Sequence, residues 1–331
     1  MNSNIEKKSI RGVVGSLFKN DVIRTFAILL ALIIFLVIAR PGTFVTADNF
    51  WSTLSQVSVN AILVMGLFLA ILTGGINISI GSVAAFSSLI TAMMLVSNNA
   101  FSSNVVVAVS VGLIVGALVG VFIGFFVAEL NLQPYIVTLA AQIIFRGLTM
   151  VVSQGQPTSN LGEAFSYIGF KSIGPVPVNV IIMVVLFLIF YYFLEHRRFG
   201  RYLYAIGDNK EAARLSGIQV KKDLYIVYLL GGVMSAVAGM VLASRVNSAT
   251  PIAGTGAEMD AIAAAVIGGA SLKGGKGTIL GALLGAIIIG VLNNGLVLLG
   301  VDVYWTQVVK GLIILVAVSA DAISSKRAAK A

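Results

Sequence analysis

The 331-residue sequence contains no cysteine and a single histidine, His196. No disulfide, thiolate metal site or cysteine nucleophile can be built from it, and a multi-histidine metal site is excluded as well. His196 stands beside Arg197 and Arg198, as a residue at a membrane boundary would. Charge is scarce too: 11% of residues are Asp, Glu, Lys or Arg, against roughly 25% in soluble domains. None of the 13 acidic residues falls clearly at the middle of an apolar run, where ion-coupled carriers keep their carboxylates. Gly274-Gly275-Lys276-Gly277-Thr278 has glycine where a phosphate-binding loop needs Ser or Thr after the lysine, and no strand precedes it. The chain is therefore expected to be no enzyme and to need no cofactor. Energy for moving a solute uphill would come from another subunit.

What is present is apolar sequence, 58% of all residues. Runs of spanning length lie near 23–39, 54–73, 82–97, 104–128, 135–152, 178–194, 224–244, 278–297 and 304–323, with a short, broken segment near 260–270. These predict an all-α polytopic membrane protein of about ten transmembrane helices. The first run follows a polar, basic segment (1–22) and is succeeded by Arg40-Pro41-Gly42, so it reads as a permanent span and not a cleaved signal. The net charge of +9 follows from topology and requires no nucleic acid. With the basic 195–223 loop in the cytoplasm, alternation leaves only Arg40, Lys171 and Arg245 outside, and both termini inside.

The 195–223 loop is the one long polar stretch. Asp208 followed by Glu211 resembles a capping box and Gly217 a helix stop, which predicts a short helix over about 209–216. A short, charged, capped helix on the basic side offers a surface to a soluble partner.

Two halves look alike. Gly112, Gly116, Gly120 and Gly124 line one span and Gly277, Gly281 and Gly285 another, a spacing that lets helices approach closely. Each is preceded by a glycine-rich opening, Gly74–Ser82 with Asn77 and Gly254–Asp260 with Asp260, where the polar side chain would cap a helix start. Blocks 54–152 and 224–323 begin on opposite sides, the pattern of inverted repeats with interrupted helices. Arg146 and Lys310 lie within spans, about 10 Å from their outer ends. They either snorkel or form ion pairs with Glu258, Asp260 or Asp302; together with Arg245 they are candidates for an outer gate held shut by charge. Gly75, Asn77, Ser79, Gln133, Asn293 and Asn294 are uncharged groups suited to passing a neutral solute, and equally able to satisfy helix ends.

The runs Ser58-Val59-Asn60-Ala61-Ile62, Gly75–Ser82, Arg146-Gly147-Leu148-Thr149-Met150, Phe199-Gly200-Arg201-Tyr202, Ala213–Ile218, Glu258–Ala264 and Leu292–Val301 together resemble the membrane permease subunit of bacterial ATP-binding cassette importers for simple sugars, ribose-type permeases most of all. The resemblance extends over about 55–323. It implies one permease domain that dimerises with a second copy in the inner membrane, receives a monosaccharide such as ribose from a periplasmic or extracellular binding protein, and couples to a cytoplasmic ATPase. The family's coupling helix falls on Asp208, Asn209, Glu211, Ala212, Ala213, Arg214, Ser216 and Gly217. The segments 41–53, 154–177 and 245–259 are the surfaces open to the binding protein. Asn77 stands where the family usually has Asp; capping survives that change, whereas a role for negative charge does not. The residues alone also fit an ion-driven secondary transporter, or an importer of nucleosides or branched-chain amino acids.

Overall fold

The computed structural model describes residues 21–96 and 104–328. The N-terminal segment (1–22) thus lies almost wholly outside the described residues. Among the described residues seven helices are long and apolar enough to cross a membrane: α1 Asp21–Ala39, α3 Ala47–Leu72, α5 Val105–Ala128, α6 Pro134–Ser153, α8 Val178–His196, α11 Val220–Val246 and α13 Ile279–Leu298. The other three expected spans are also helical. These are α4 Ile80–Val96, the half-length α12 Ala257–Ile267 and α14 Val303–Ala328. At 1.5 Å per residue α12 is about 16 Å long, half a bilayer core.

Helix starts follow local chemistry. Thr46 accepts a bond from Asn49 N at 3.3 Å to open α3, Asn104 from Val106 N at 2.9 Å to open α5, and Thr278 from Gly281 N at 3.0 Å to open α13. Pro134 occupies the first turn of α6, where its missing N–H costs nothing. Short elements fill the connections: α2 Pro41–Phe44, α7 Glu163–Ser166, and two-residue strands β1 Thr158–Ser159, β2 Ser172–Ile173, β3 Val176–Pro177 and β4 Ser248–Ala249. β1 pairs antiparallel with β4 and β2 with β3, a small departure from an all-α chain.

The core centres on α3 and α11, which are buried on most of their surface, while α1, α5, α6 and α8 keep apolar faces outward. α11 packs on α3, α4 and α5; α3 packs on α11, α12 and α13. The glycine-faced spans do bring backbones together, though against unlike partners. A Cβ on Gly116 would overlap the Gly232 carbonyl of α11, whereas one on Gly285 would overlap the Ala264 carbonyl of α12. Gly277 is not on that face at all; it precedes α13, at φ 132°.

Helix ends gather at two poles. At the basic pole Asp21 meets Gly269, Lys221 pairs with Glu129, and Gly207 abuts Leu72 and Gly275. At the opposite pole Asn49 bonds Asn294 and β1 joins β4. The polar 195–223 loop folds into two helices where one was expected, α9 Arg198–Asp208 and α10 Lys210–Leu215. Leu203 and Ile206 anchor α9 by burial. Glycines 200 and 207 allow its close approach to the Leu194 and Leu72 carbonyls.

Candidate functional site

Toward the pole opposite the basic loop, α3, α4, α11, α12, α13 and α14 border a half-open cavity of about 710 Å³. Gln56 and Asn60 enter from one face of α3, Gln307 and Lys310 from one face of α14, Arg245 from α11, Asp260 from α12 and Asn293 from α13. Lys310 Nζ donates to Asp260 Oδ2 at 2.9 Å across the wall, so these two charges cancel. Arg245 has no hydrogen-bond or ion-pair partner among the described residues, and the buried Asn293 Oδ1 has none either.

The second feature is a polar stripe on α6. Thr138, Gln142 and Arg146, four residues apart, share one face. Thr138 Oγ1 donates to Ile76 O at 3.0 Å and accepts from Ile78 N at 3.3 Å. Gln142 Nε2 donates to Glu258 Oε1 at 3.2 Å, and Arg146 donates to Pro251 O and Ala253 O at 2.7 and 2.8 Å. One helix face therefore holds both interruptions, that before α4 and that before α12.

The third is the polar loop. Asn209, not Asp208, caps α10, its Oδ1 accepting from Glu211 N and Ala212 N at 3.0 and 2.9 Å. Asp208 ends α9 instead. Glu211 turns away from the cap and pairs with Arg214 at 2.6 Å. The hydrogen bond from Arg214 holds the Glu211 carboxyl below its ordinary range. Ser216 Oγ donates to Ala212 O at 2.9 Å, and Gly217 closes the helix at φ 84°. Lys210 donates to Asn131 at 2.7 Å, and burial lowers its pKa. Behind the loop, Tyr204 Oη donates to Gly277 O at 2.8 Å; burial first, then the Glu195 charge, push its pKa up to about 12.

Several expected residues lie elsewhere than anticipated. Asp260 does not cap α12: Gly256 holds that position, and Asp260 sits in the first turn, paired with Lys310. Arg146 forms no ion pair with Glu258 and bonds two carbonyls; Asp302 bonds Tyr304 N at 2.8 Å. Asn77 braces the turn before α4 and does not cap the helix: its Oδ1 accepts from Ser79 N and Oγ at 3.1 and 2.7 Å, ahead of the first helical residue Ile80, and both residues are buried and neither lines the cavity. Gly75 packs under Tyr228 and Pro134, and Gln133 is exposed before α6. Asn294 exchanges two bonds with Asn49, at 2.8 and 3.3 Å, and serves to join α13 to α3. Ala213 is buried against its own chain, whereas Ala212 and Leu215 face outward. Sequence reasoning missed Gln56, Asn60, Gln307 and the α6 stripe; polar residues at spacing four inside a span were the available signal. Among the described residues no cluster of metal ligands occurs.

Membrane-crossing helices, interrupted segments and a cavity with polar and apolar lining are the features of a multi-pass membrane protein. The chain matches the family model for the branched-chain amino acid transport system / permease component over residues 49–318, and it belongs to that family. It is 44% identical over 299 residues to the ribose import permease protein of Escherichia coli K12, covering 89% of this chain and 92% of that one. The ribose import permease protein of Bacillus subtilis 168 is 44% identical over 298 residues, 88% and 90% of the two chains. The D-allose transport system permease protein of Escherichia coli K12 is 38% identical over 309 residues, 92% and 93%. No solved structure matches the chain. The protein is a permease subunit and not an enzyme.

Proposed function

We propose that the chain is the membrane subunit of an ATP-driven, binding-protein-dependent importer of a monosaccharide, ribose or a related sugar, in a bacterial inner membrane. The observation that carries this reading is its similarity, over nine-tenths of its length, to permeases named for ribose and allose. Two copies form the pathway, a sugar-binding protein docks at the pole opposite the basic loop, and a cytoplasmic ATPase engages α9 and α10. Exposed Ala212 and Leu215 offer the apolar contact there, and the Glu211–Arg214 pair the polar one. Basic residues at the α10 pole favour placing it, with both termini, in the cytoplasm.

About ten spans in two inverted repeats suit the packing. Exchanging α3 with α11, α4 with α12, α5 with α13 and α6 with α14 maps the contacts of α11 with α5 and α4 onto those of α3 with α13 and α12, and the α4–α5 contact onto α12–α13. The Lys310–Asp260 pair, lying across the cavity wall, acts as the outer gate. An amino acid would need free charges of both signs in the cavity, and there Asp260 is already paired.

The test is uptake of labelled ribose and allose into proteoliposomes, with ATPase and binding-protein subunits added or omitted. Uptake that requires both partners and ATP supports the importer. Uptake by this chain alone along an imposed proton or sodium gradient would sink it in favour of a secondary transporter.

A further inference from the structure

We propose that the cavity between α3, α4, α11, α12, α13 and α14 is itself a binding site for a neutral polyhydroxylated molecule, a stopping place for the sugar within the permease. The inference rests on the importer reading above and adds a site where a mere passage would suffice. The cavity, about 710 Å³, falls within the roughly 300–1,000 Å³ of small-molecule pockets.

Its chemistry selects for hydroxyl groups. Gln56, Asn60, Asn293 and Gln307 are amides, each with a donor and an acceptor, as a vicinal diol requires. Asn293 Oδ1 is buried with no partner among the described residues, and such an acceptor is destabilising until a donor reaches it. A carboxylate or phosphate cannot donate; a hydroxyl can. Arg245 brings N–H donors with no acceptor opposite them, which the oxygen of the same or a neighbouring hydroxyl supplies. The other cation, Lys310, is already neutralised by Asp260 at 2.9 Å and gives no second hold on an anion. Among the described residues no aromatic side chain lines the cavity to stack on a sugar ring, so binding is weak, on the order of millimolar, which permits release.

Saturation-transfer NMR on the full chain in lipid nanodiscs, without ATPase or binding protein, tests the site with ribose and, as an anionic probe, ribonate. Ribose should receive transfer and ribonate should not. Asn293→Leu and Gln307→Leu should each weaken ribose binding by about fivefold or more, the worth of one hydrogen bond. Asn294→Leu, whose amide is turned to Asn49, should leave binding unchanged. Gln307 is exposed on α14, so its replacement tests the site even where Asn293→Leu fails to fold. Absence of transfer to ribose, undiminished transfer in well-folded Gln307→Leu, or stronger transfer to ribonate overturns the proposal. ATP-driven uptake without saturation transfer would sink the site and spare the importer; transfer without such uptake would do the reverse.

Discussion

Lys310 and Asp260 are each less than one-quarter exposed, and removing one leaves the other's charge largely buried and uncompensated. Lys310→Gln or Asp260→Asn alone should lower stability by about 1–3 kcal/mol, and the double variant by less than the sum, as thermal unfolding in detergent would show. If the pair is a gate, the double variant should also leak sugar without ATP. Glu211 gives a pH signature. Its pKa is depressed from 4.5, so its contribution to α10 is complete above that value and is lost as pH falls through the lower, folded one. Amide protection over 209–217 should hold from neutrality to about 4.5 and drop on further acidification, with no such step in Glu211→Gln. Tyr204 works in the other sense: raised to about 12 from 10, it stabilises fully below 10 and stops doing so as pH climbs through about 12. The residue types of these sites were legible in sequence, and so was a short list of partners for Lys310 that held Asp260, but not which of them it meets. Nothing local says that Ala213 turns inward while Ala212 does not.

At the scale of the element, periodicity and length told most. The spans are found close to where apolar runs placed them, because a bilayer core demands about 20 apolar residues whatever the neighbours. The half-helix α12 was legible as a break at Gly254 and Gly256, yet its start lies three residues before the expected 260. α9 was illegible: its glycines argue for a turn, and only packing against Leu194 and Leu72 turns them to helical use. The α6 stripe makes a prediction of its own. Arg146→Gln removes both bonds to the segment before α12, so hydrogen exchange over 250–256 should quicken while that over 76–79, held by Thr138, should not. Thr138→Val should give the converse. If both segments loosen together in either variant, they form one cooperative unit and the stripe is not a pair of separate clasps.

Across the whole molecule, composition sufficed to place the chain in a membrane, and the resemblance of scattered motifs to name a family. Neither reveals the cavity, since its lining comes from six helices drawn from both halves of the chain, none conspicuous alone. What most constrains the assembly is backbone lying on backbone. Gly285 against Ala264 and Gly116 against Gly232 leave no volume for a single carbon, whereas Gly147 has nothing within 4 Å of the place where one would go. Gly147→Ala should be neutral or slightly stabilising, and Gly285→Ala destabilising by about 1–3 kcal/mol. A glycine codon offers heredity no gentle step: each single-nucleotide missense change yields Ala, Ser, Val, Cys, Trp, Arg, Asp or Glu, all of which add at least that carbon. Where these helices touch, the chain is therefore brittle to inheritance at the level of the code, and lineages can retune its lining amides far more freely than the seams that hold them.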